Sequence, residues 1–172
     1  MCSSYTFRSG HGEETRERIL VLDDANNLSR AFTFDLHPLE QSLACECFKF
    51  KGVEVFVVGT AYSLPEESEP SRGRMLIFEP MQDKTLVLRV EREVPRAVFS
   101  LAAIGNRIVA AVGARTQVMR VSASEDGLRS LELQPECSVP GQVLSLFVRA
   151  YGDAVLVGDI LCSATLLRWL PD

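Results

Sequence analysis

The 172-residue sequence is poor in the residue types from which catalytic and metal sites are built. It has two histidines, His11 and His37, and neither is spaced from a serine or cysteine nucleophile in a way that suggests a catalytic triad. Its five cysteines include no CxxC pair, and their spacing with the histidines matches no zinc-binding pattern. The glycines are isolated rather than gathered in a phosphate-binding loop. The sequence therefore predicts a protein that is not an enzyme and that binds no metal or cofactor.

Long apolar runs and clusters of basic residues are also missing. No run approaches the roughly 20 residues that cross a bilayer, and the N-terminus lacks the apolar core of a secretory signal, so no membrane partner is expected. The net charge is −5, and the arginines of residues 89–93 alternate with acids, which disfavours direct binding to nucleic acid. The odd number of cysteines, with Cys45 and Cys47 on one face of a strand, favours reduced, buried thiols in an intracellular protein.

A strand–turn–strand unit that ends in Val-Gly occurs three times. The copies span residues 43–59, 97–113 and 143–158, so the unit returns at intervals of about 50 residues. Repeats of about 40–50 residues with four short strands each are typical of β-propeller blades. Because hardly any segment has apolar residues at the helical period of 3.6, very little helix is expected. The sequence predicts an all-β fold, an incomplete β-propeller of about three four-stranded antiparallel blades.

The sequence divides into a lead-in and a partial propeller. Residues 1–16 are polar and unpatterned and are predicted to be a disordered lead-in, whereas residues 17–172 form the partial β-propeller. A propeller needs about 4–8 blades to close, so we expect a fragment of a longer protein or of a split gene, marginally stable alone because its end strands expose unpaired ladder groups. The segments of the partial propeller are the end of a preceding blade (17–36), two full blades (44–94 and 97–137) and a truncated blade (143–172).

Three features favour structural roles over binding roles. The acidic run 66–69 lacks the glycine-spaced ligands of a calcium loop, so it is predicted to be a solvated loop. Gly158-Asp159 resembles the turns of repeat propellers in which an aspartate accepts hydrogen bonds from backbone amides. Trp169, the single tryptophan, ends an alternating strand and is predicted to pack within a blade interface.

Three stretches of the sequence resemble one family of large propeller proteins. They are VVGTAYSLPEESEPSRGR at 57–74, VPRAVFSL at 94–101 and YGDAVLVGD at 151–159. From about residue 19 to residue 172, the sequence resembles part of the third propeller of the DNA damage-binding protein 1 family. This family also includes the large subunit of the cleavage and polyadenylation specificity factor and the third subunit of splicing factor 3b. The LPEESEP loop is most similar to the damage-binding members, and to their plant forms in particular.

The resemblance implies a seven-bladed ring, one of three in the whole protein, and a non-catalytic adaptor function. Such an adaptor links WD40-type substrate receptors to a cullin-4 RING E3 ubiquitin ligase, in the DNA damage response and in ubiquitin-dependent protein degradation. The implied location is the nucleus, with the cytoplasm as a second one. The implied partners are WD40-type receptors and the remaining propellers, while the cullin would be bound only through parts that this sequence lacks.

The receptor-binding positions of the family lie at the starts of inner strands and in adjoining loops, and the resemblance carries nine of them over. Phe99 and Phe147 stand where the family usually has tyrosine, and Ser63 stands where the family is apolar. The loss of two hydroxyls keeps the apolar area but removes hydrogen-bonding groups from a groove that takes up a helix. The alternative is that these residues only form the core of the inner strands. The nine positions are Ala61, Ser63, Ala97, Phe99, Ser100, Leu144, Leu146, Phe147 and Ile160.

Two other functions stay open. A pre-mRNA processing scaffold, of the cleavage and polyadenylation or splicing factor 3b type with nucleic-acid association, is suggested by the two other family branches, although the LPEESEP loop speaks against it. A hydrolase-type propeller would need acidic or histidine residues that converge on the central channel. The predicted inner strands carry mostly alanine, leucine, valine and phenylalanine instead.

Overall fold

The computed structural model describes residues 2–7, 16–123, 130–140, 143–161 and 163–170. These ranges contain strands and one short 3₁₀ helix, Asp24–Asn26, and no α-helix. The strands, in chain order, are β1 (Cys2–Phe7), β2 (Arg16–Asp23), β3 (Ser29–Asp35), β4 (Glu40–Phe50), β5 (Val53–Tyr62), β6 (Gly73–Pro80), β7 (Leu86–Val94), β8 (Val98–Ile104), β9 (Arg107–Val112), β10 (Arg115–Ala123), β11 (Leu131–Pro140), β12 (Ser145–Tyr151), β13 (Ala154–Asp159) and β14 (Ala164–Arg168).

The strands form four separate antiparallel sheets in which neighbours along the chain are neighbours in the sheet. The leading sheet is β1-β2-β3, blade 1 is β4 to β7, blade 2 is β8 to β11, and blade 3 is β12-β13-β14. The first strands of the three blades, β4, β8 and β12, lie side by side, so they are the inner strands. This meander of stacked sheets confirms the predicted all-β fold, a partial β-propeller.

The sheets pack face to face through three apolar clusters. Ile19 of the leading sheet packs with Leu76 and Phe78 of blade 1. The other face of blade 1 packs on blade 2 through buried residues that include Val57 and Ile108. The opposite face of blade 2 packs on blade 3 through a smaller cluster of alanines and valines. Each cluster is therefore an interface between two sheets, and the fold is stabilised by stacking rather than by one central core.

The Val-Gly ending of the repeat has a packing reason. A Cβ atom built on Gly59 would lie 2.7 Å from the Cβ of Val98, the first residue of β8. The missing side chain in blade 1 therefore lets the inner strand of blade 2 approach its backbone. Gly113 serves differently, because its φ of +56° is a left-handed conformation that favours glycine.

Two expectations from the sequence need correction. The disordered lead-in predicted for residues 1–16 is wrong over Cys2–Phe7, which forms a strand paired with β2, while residues 8–15 lie outside the described residues. The backbone of β1 pairs with that of β2, although the mostly polar sequence of β1 lacks the apolar alternation from which a strand is predicted. Cys45 and Cys47 do leave β4 on one face, but they are exposed rather than buried, as is Cys137. The buried face of β4 is the one that packs on blade 2, and the cysteines are on the other.

Candidate functional site

The structure gathers all nine predicted site residues at the end where β4, β8 and β12 begin, here called the inner-strand end. Backbone hydrogen bonds connect the strand ends in this region. Ser63 N–H donates to the carbonyl of Leu39, Ser145 N–H donates to that of Gly113, and Ile160 N–H donates to that of Leu144. Gly113 N–H also donates to the carbonyl of Ala97. Residues that lie up to 99 positions apart in the sequence, Ala61 and Ile160, therefore share one end of the stacked blades.

Two of these nine residues are buried, three are half-buried (Phe99, Ser100 and Leu144) and four are exposed (Ser63, Leu146, Phe147 and Ile160). Ala61 and Ala97 are buried, so they support the surface from beneath. Ser100 is half-buried, and its Oγ accepts a hydrogen bond from Val148 N–H at 3.1 Å, which connects inner strands β8 and β12. For these three residues the geometry matches the alternative reading, in which inner-strand residues serve the packing of the blades.

Three of the four exposed members form an apolar surface on blade 3, whereas the fourth, Ser63, is polar and lies on blade 1. Leu146, Phe147 and Ile160 are 39%, 41% and 55% exposed, although all three are large apolar residues. Asp159 fixes the local backbone, because its carboxylate accepts hydrogen bonds from Val143 N–H and Leu144 N–H at 2.8 and 2.9 Å and from Leu161 N–H at 2.9 Å. The predicted structural role of Asp159 is therefore confirmed, because its carboxylate connects the segment that precedes β12 with the turn that follows β13.

Each inner strand begins with a β-bulge at the same place, opposite the Val-Gly end of its partner strand. The extra residues are Leu43 in β4, Phe99 in β8 and Leu146 in β12. A bulge leaves one residue unpaired and re-aims its side chain. Leu43 is 40% exposed and Leu146 is 39% exposed, so Leu43 joins the candidate site residues, although it was not predicted from the sequence. The repeat itself was the available signal, because Leu43 opens the first copy.

A buried ion-pair network lies under the blade 1 part of this end. Arg74 donates from Nε to Glu40 Oε1 at 2.8 Å, pairs through Nη2 with Glu40 Oε2, and donates from Nη1 to Glu91 Oε1 at 2.5 Å. Thr60 Oγ1 donates to Glu40 Oε1 at 2.6 Å and accepts from Arg74 N–H at 2.9 Å. The network joins all four strands of blade 1, which gives Thr60 and Arg74 of the 57–74 stretch a structural role.

The protonation of this network follows from its contacts. Burial alone raises the pKa of the Glu40 carboxyl, but the hydrogen bonds from Arg74, Thr60 and the His37 N–H outweigh burial and hold that pKa below its usual value. Burial also opposes the charge on Arg74, and its pairs with Glu40 and Glu91 outweigh burial and raise its pKa. Both groups are therefore charged at neutral pH, where the network connects the strands of blade 1.

Nothing among the described residues suggests catalysis by a metal. No group of three or more histidine, cysteine, aspartate or glutamate side chains stands close enough to hold a metal ion in this part of the chain. The run Glu66–Glu69 is exposed, as predicted for a solvated loop. Trp169 packs against the interface of blades 2 and 3, with the Arg107 guanidinium 4.4 Å from the centre of its ring. In the ranges described, no helix is long and apolar enough to span a membrane.

Stacked antiparallel blades with an apolar surface at one end define a β-propeller scaffold. Residues 16–172 match the family described as "CPSF A subunit region". The chain is 37% identical to DNA damage-binding protein 1a of Arabidopsis thaliana over 162 residues, and this alignment covers 92% of the chain and 14% of the relative. It is 35% identical over 174 residues to DNA damage-binding protein 1 of Solanum lycopersicum, covering 97% of this chain and 15% of the relative.

A third relative is DNA damage-binding protein 1 of Oryza sativa subsp. japonica, 45% identical over 112 residues, which cover 65% of this chain and 10% of that protein. The chain belongs to the CPSF A subunit region family. Within it, the chain resembles a segment of the DNA damage-binding protein 1 type of scaffold. The chain spans only 10–15% of the length of these relatives.

Proposed function

We propose that this chain is a non-catalytic binding segment of an adaptor that links WD40-type substrate receptors to a cullin-4 RING E3 ubiquitin ligase. The adaptor would act in the nucleus, with the cytoplasm as a second location, in the DNA damage response and in ubiquitin-dependent protein degradation. Three relatives named DNA damage-binding protein 1 or 1a support this proposal. The cullin would be held by parts of the adaptor outside this chain.

The observation that carries the proposal is the exposed apolar surface at the inner-strand end. Large exposed apolar side chains receive the apolar stripe of an amphipathic helix, whose residues i, i+3, i+4 and i+7 fill shallow pockets. Phe147 and Leu146 on blade 3 and Leu43 on blade 1 are the residues that offer this area. Ala61 and Ala97 are small and buried, so in this proposal they lie beneath the surface and leave room for the helix above them.

A binding assay with matched variants tests this function. The full chain would be immobilised and offered a synthetic amphipathic helix from a WD40-type substrate receptor. We expect Leu146→Asp and Phe147→Asp each to weaken binding by about tenfold or more, since a charge would be buried under the helix. Met81→Asp is the control, because Met81 is 42% exposed in the β6–β7 turn, away from the inner-strand end. Unchanged capture of the helix by both blade 3 variants would refute the assignment.

The pre-mRNA processing scaffold is the second candidate, and one observation favours it. The family that the chain matches is described by the CPSF A subunit. Such a scaffold would be expected to associate with RNA through partners, because this chain has a net charge of −5 and no basic cluster. Capture of the receptor helix by the full chain, without retention of a single-stranded RNA oligonucleotide, favours the adaptor. Retention of the RNA with no helix binding favours the alternative.

A further inference from the structure

The turn that leads into β4 holds a leucine at a position that favours glycine. Glu40 N–H donates to the carbonyl of His37 at 3.1 Å, which closes a four-residue turn over residues 37–40. Pro38 takes the second position of this turn, and Leu39 takes the third with a φ of +62°. Proline followed by a left-handed residue is the pattern of a type II turn, whose third position favours glycine or asparagine because most side chains are strained there. Leu39 therefore occupies this position at a cost in backbone strain.

Contacts within blade 1 impose this conformation on the turn. The His37 N–H donates to Glu40 Oε2 at 2.9 Å, and Glu40 Oε1 accepts a hydrogen bond from Arg74 Nε at 2.8 Å. The Leu39 carbonyl accepts from Ser63 N–H at 2.8 Å, which connects the turn to the residue that follows β5. A strained residue persists where the surrounding contacts determine its backbone, and such residues cluster at binding sites.

Packing inside the chain does not account for the leucine side chain. Leu39 is 43% exposed, and the three apolar clusters that join the described sheets do not include it. Its neighbours at the inner-strand end are Ser63, a predicted site residue, and β4, which carries the exposed Leu43. Glycine or asparagine would fit the turn with less strain. What the leucine adds is apolar area at the inner-strand end.

Strain alone does not identify a binding site, as Leu28 shows. Leu28 has a φ of +57° and is 54% exposed, but it lies in the connection between β2 and β3. An ion pair between Asp23 and Lys84 joins that connection to the β6–β7 turn, which lies away from the inner-strand end. Leu28 shares its residue type, backbone conformation and exposure with Leu39, so it is a matched control at another place in the fold.

We propose that Leu39 is a further binding residue, which offers an apolar contact on blade 1 to the amphipathic helix of the proposed function. This inference rests on the proposed function and extends it, because the helix would reach from Phe147 on blade 3 to Leu39 on blade 1. It also defines the partner, whose helix has an apolar residue at its blade 1 end in addition to those that contact blade 3. A helix that is polar at that end gains nothing from Leu39, so Leu39 contributes specificity.

Two substitutions at Leu39 separate binding from folding. Leu39→Gly in the full chain should leave the thermal unfolding midpoint unchanged or raise it by up to about 4 °C, because the relief of strain offsets the greater freedom of glycine in the unfolded chain. It should weaken binding of the synthetic receptor helix by about fivefold or more, since apolar contact area is lost. Leu39→Met keeps that area and should bind the helix within about twofold of the wild type. Unchanged helix binding by Leu39→Gly, or a midpoint lowered by more than about 4 °C, would overturn the proposal.

Leu28→Gly is the control for these variants. It should shift the unfolding midpoint in the same direction as Leu39→Gly, because it relieves the same kind of strain. Helix binding should stay within about twofold of the wild type, because Leu28 lies away from the inner-strand end. Equal weakening of helix binding by Leu28→Gly and Leu39→Gly would contradict a specific contact at Leu39.

Alanine substitutions in the helix test the contact itself. One apolar residue of the helix should contact Leu39, so its replacement by alanine should weaken binding to the wild-type chain by about threefold or more and leave binding to Leu39→Gly within about twofold. A different helix residue should couple in this way to Phe147→Ala. Coupling to Phe147 without coupling to Leu39 would refute this inference and leave the proposed function standing. No binding of the helix by the wild-type chain would refute both.

Discussion

The buried pair of Arg74 and Glu40 offers the sharpest test of what holds blade 1 together. Arg74→Met keeps most of the side-chain volume but leaves the Glu40 carboxylate buried with only Thr60 Oγ1 and the His37 N–H as donors. The side chains of Arg74 and Glu40 are 2% and 0% exposed, so water cannot replace the lost contacts. Removing one partner of a buried pair costs about 3–5 kcal/mol. A typical domain is stable by about 5–15 kcal/mol, so this cost would be a large part of the free energy of unfolding.

Urea and thermal unfolding of the full chain measure this cost. For a chain of this size, about 1 kcal/mol corresponds to about 2–4 °C, so Arg74→Met should unfold about 6–20 °C lower than the wild type. The double variant Glu40→Met/Arg74→Met should recover at least about 1 kcal/mol of the loss, because no charge is then left buried alone. Recovery stays partial, since Thr60 loses its acceptor.

The control for Arg74 is Arg168→Met, which breaks a surface pair with Asp153 whose side chains are 71% and 51% exposed. Such a pair contributes about 0–1 kcal/mol, so the unfolding midpoint should hardly move. If Arg74→Met costs less than about 1 kcal/mol, or if the double variant is less stable than the single one, the pair is not the connection described above.

Three further outcomes follow from the structure. The folded-state pKa of Glu40 lies below its usual 4.5, so the stability that the Glu40 carboxylate gives the folded chain is complete above that pH and is lost as pH falls through the folded-state value. In urea unfolding from about pH 7 to about pH 2, Glu40→Gln should remove this part of the pH dependence. Gly73→Ala would place a Cβ against the carbonyl of Thr60 and 2.8 Å from that of Arg96, which should cost about 1–3 kcal/mol in thermal unfolding; an unchanged midpoint would contradict this close approach. Asp159→Ala removes three accepted amide hydrogen bonds and should speed hydrogen exchange at those amides by about tenfold or more, whereas unchanged exchange would show that the turn does not depend on the carboxylate.

The strands and their grouping follow closely from the sequence pattern, whereas the details of register do not. The Val-Gly units predict β4-β5, β8-β9 and β12-β13 because apolar runs and turn residues are local signals. The bulges at Leu43, Phe99 and Leu146 depend on how two strands pair, and no residue type marks them. Leu43 was therefore missed, although Phe99 and Leu146 were reached through family resemblance.

Burial and long-range contacts are equally hidden in the sequence. Glu40 and Arg74 are 34 positions apart, so only the folded sheet brings them together. Ala97 and Phe99 are two residues apart at the start of β8, yet one is buried and the other is half-exposed. Cys47 was expected to be buried because the cysteine number and spacing favoured reduced, buried thiols, but exposure depends on which face of β4 is covered by a neighbouring sheet.

The central claim is that the inner-strand end binds the helix of a substrate receptor, and photo-crosslinking tests it most directly. Phe147 is replaced by benzoylphenylalanine in one sample of the full chain, and Met81, of nearly equal exposure, is replaced in another. Both samples are irradiated with the same amphipathic helix from a WD40-type receptor. We predict a covalent product from position 147 and none from position 81. A product from position 81 alone, or equal products from both positions, would contradict it.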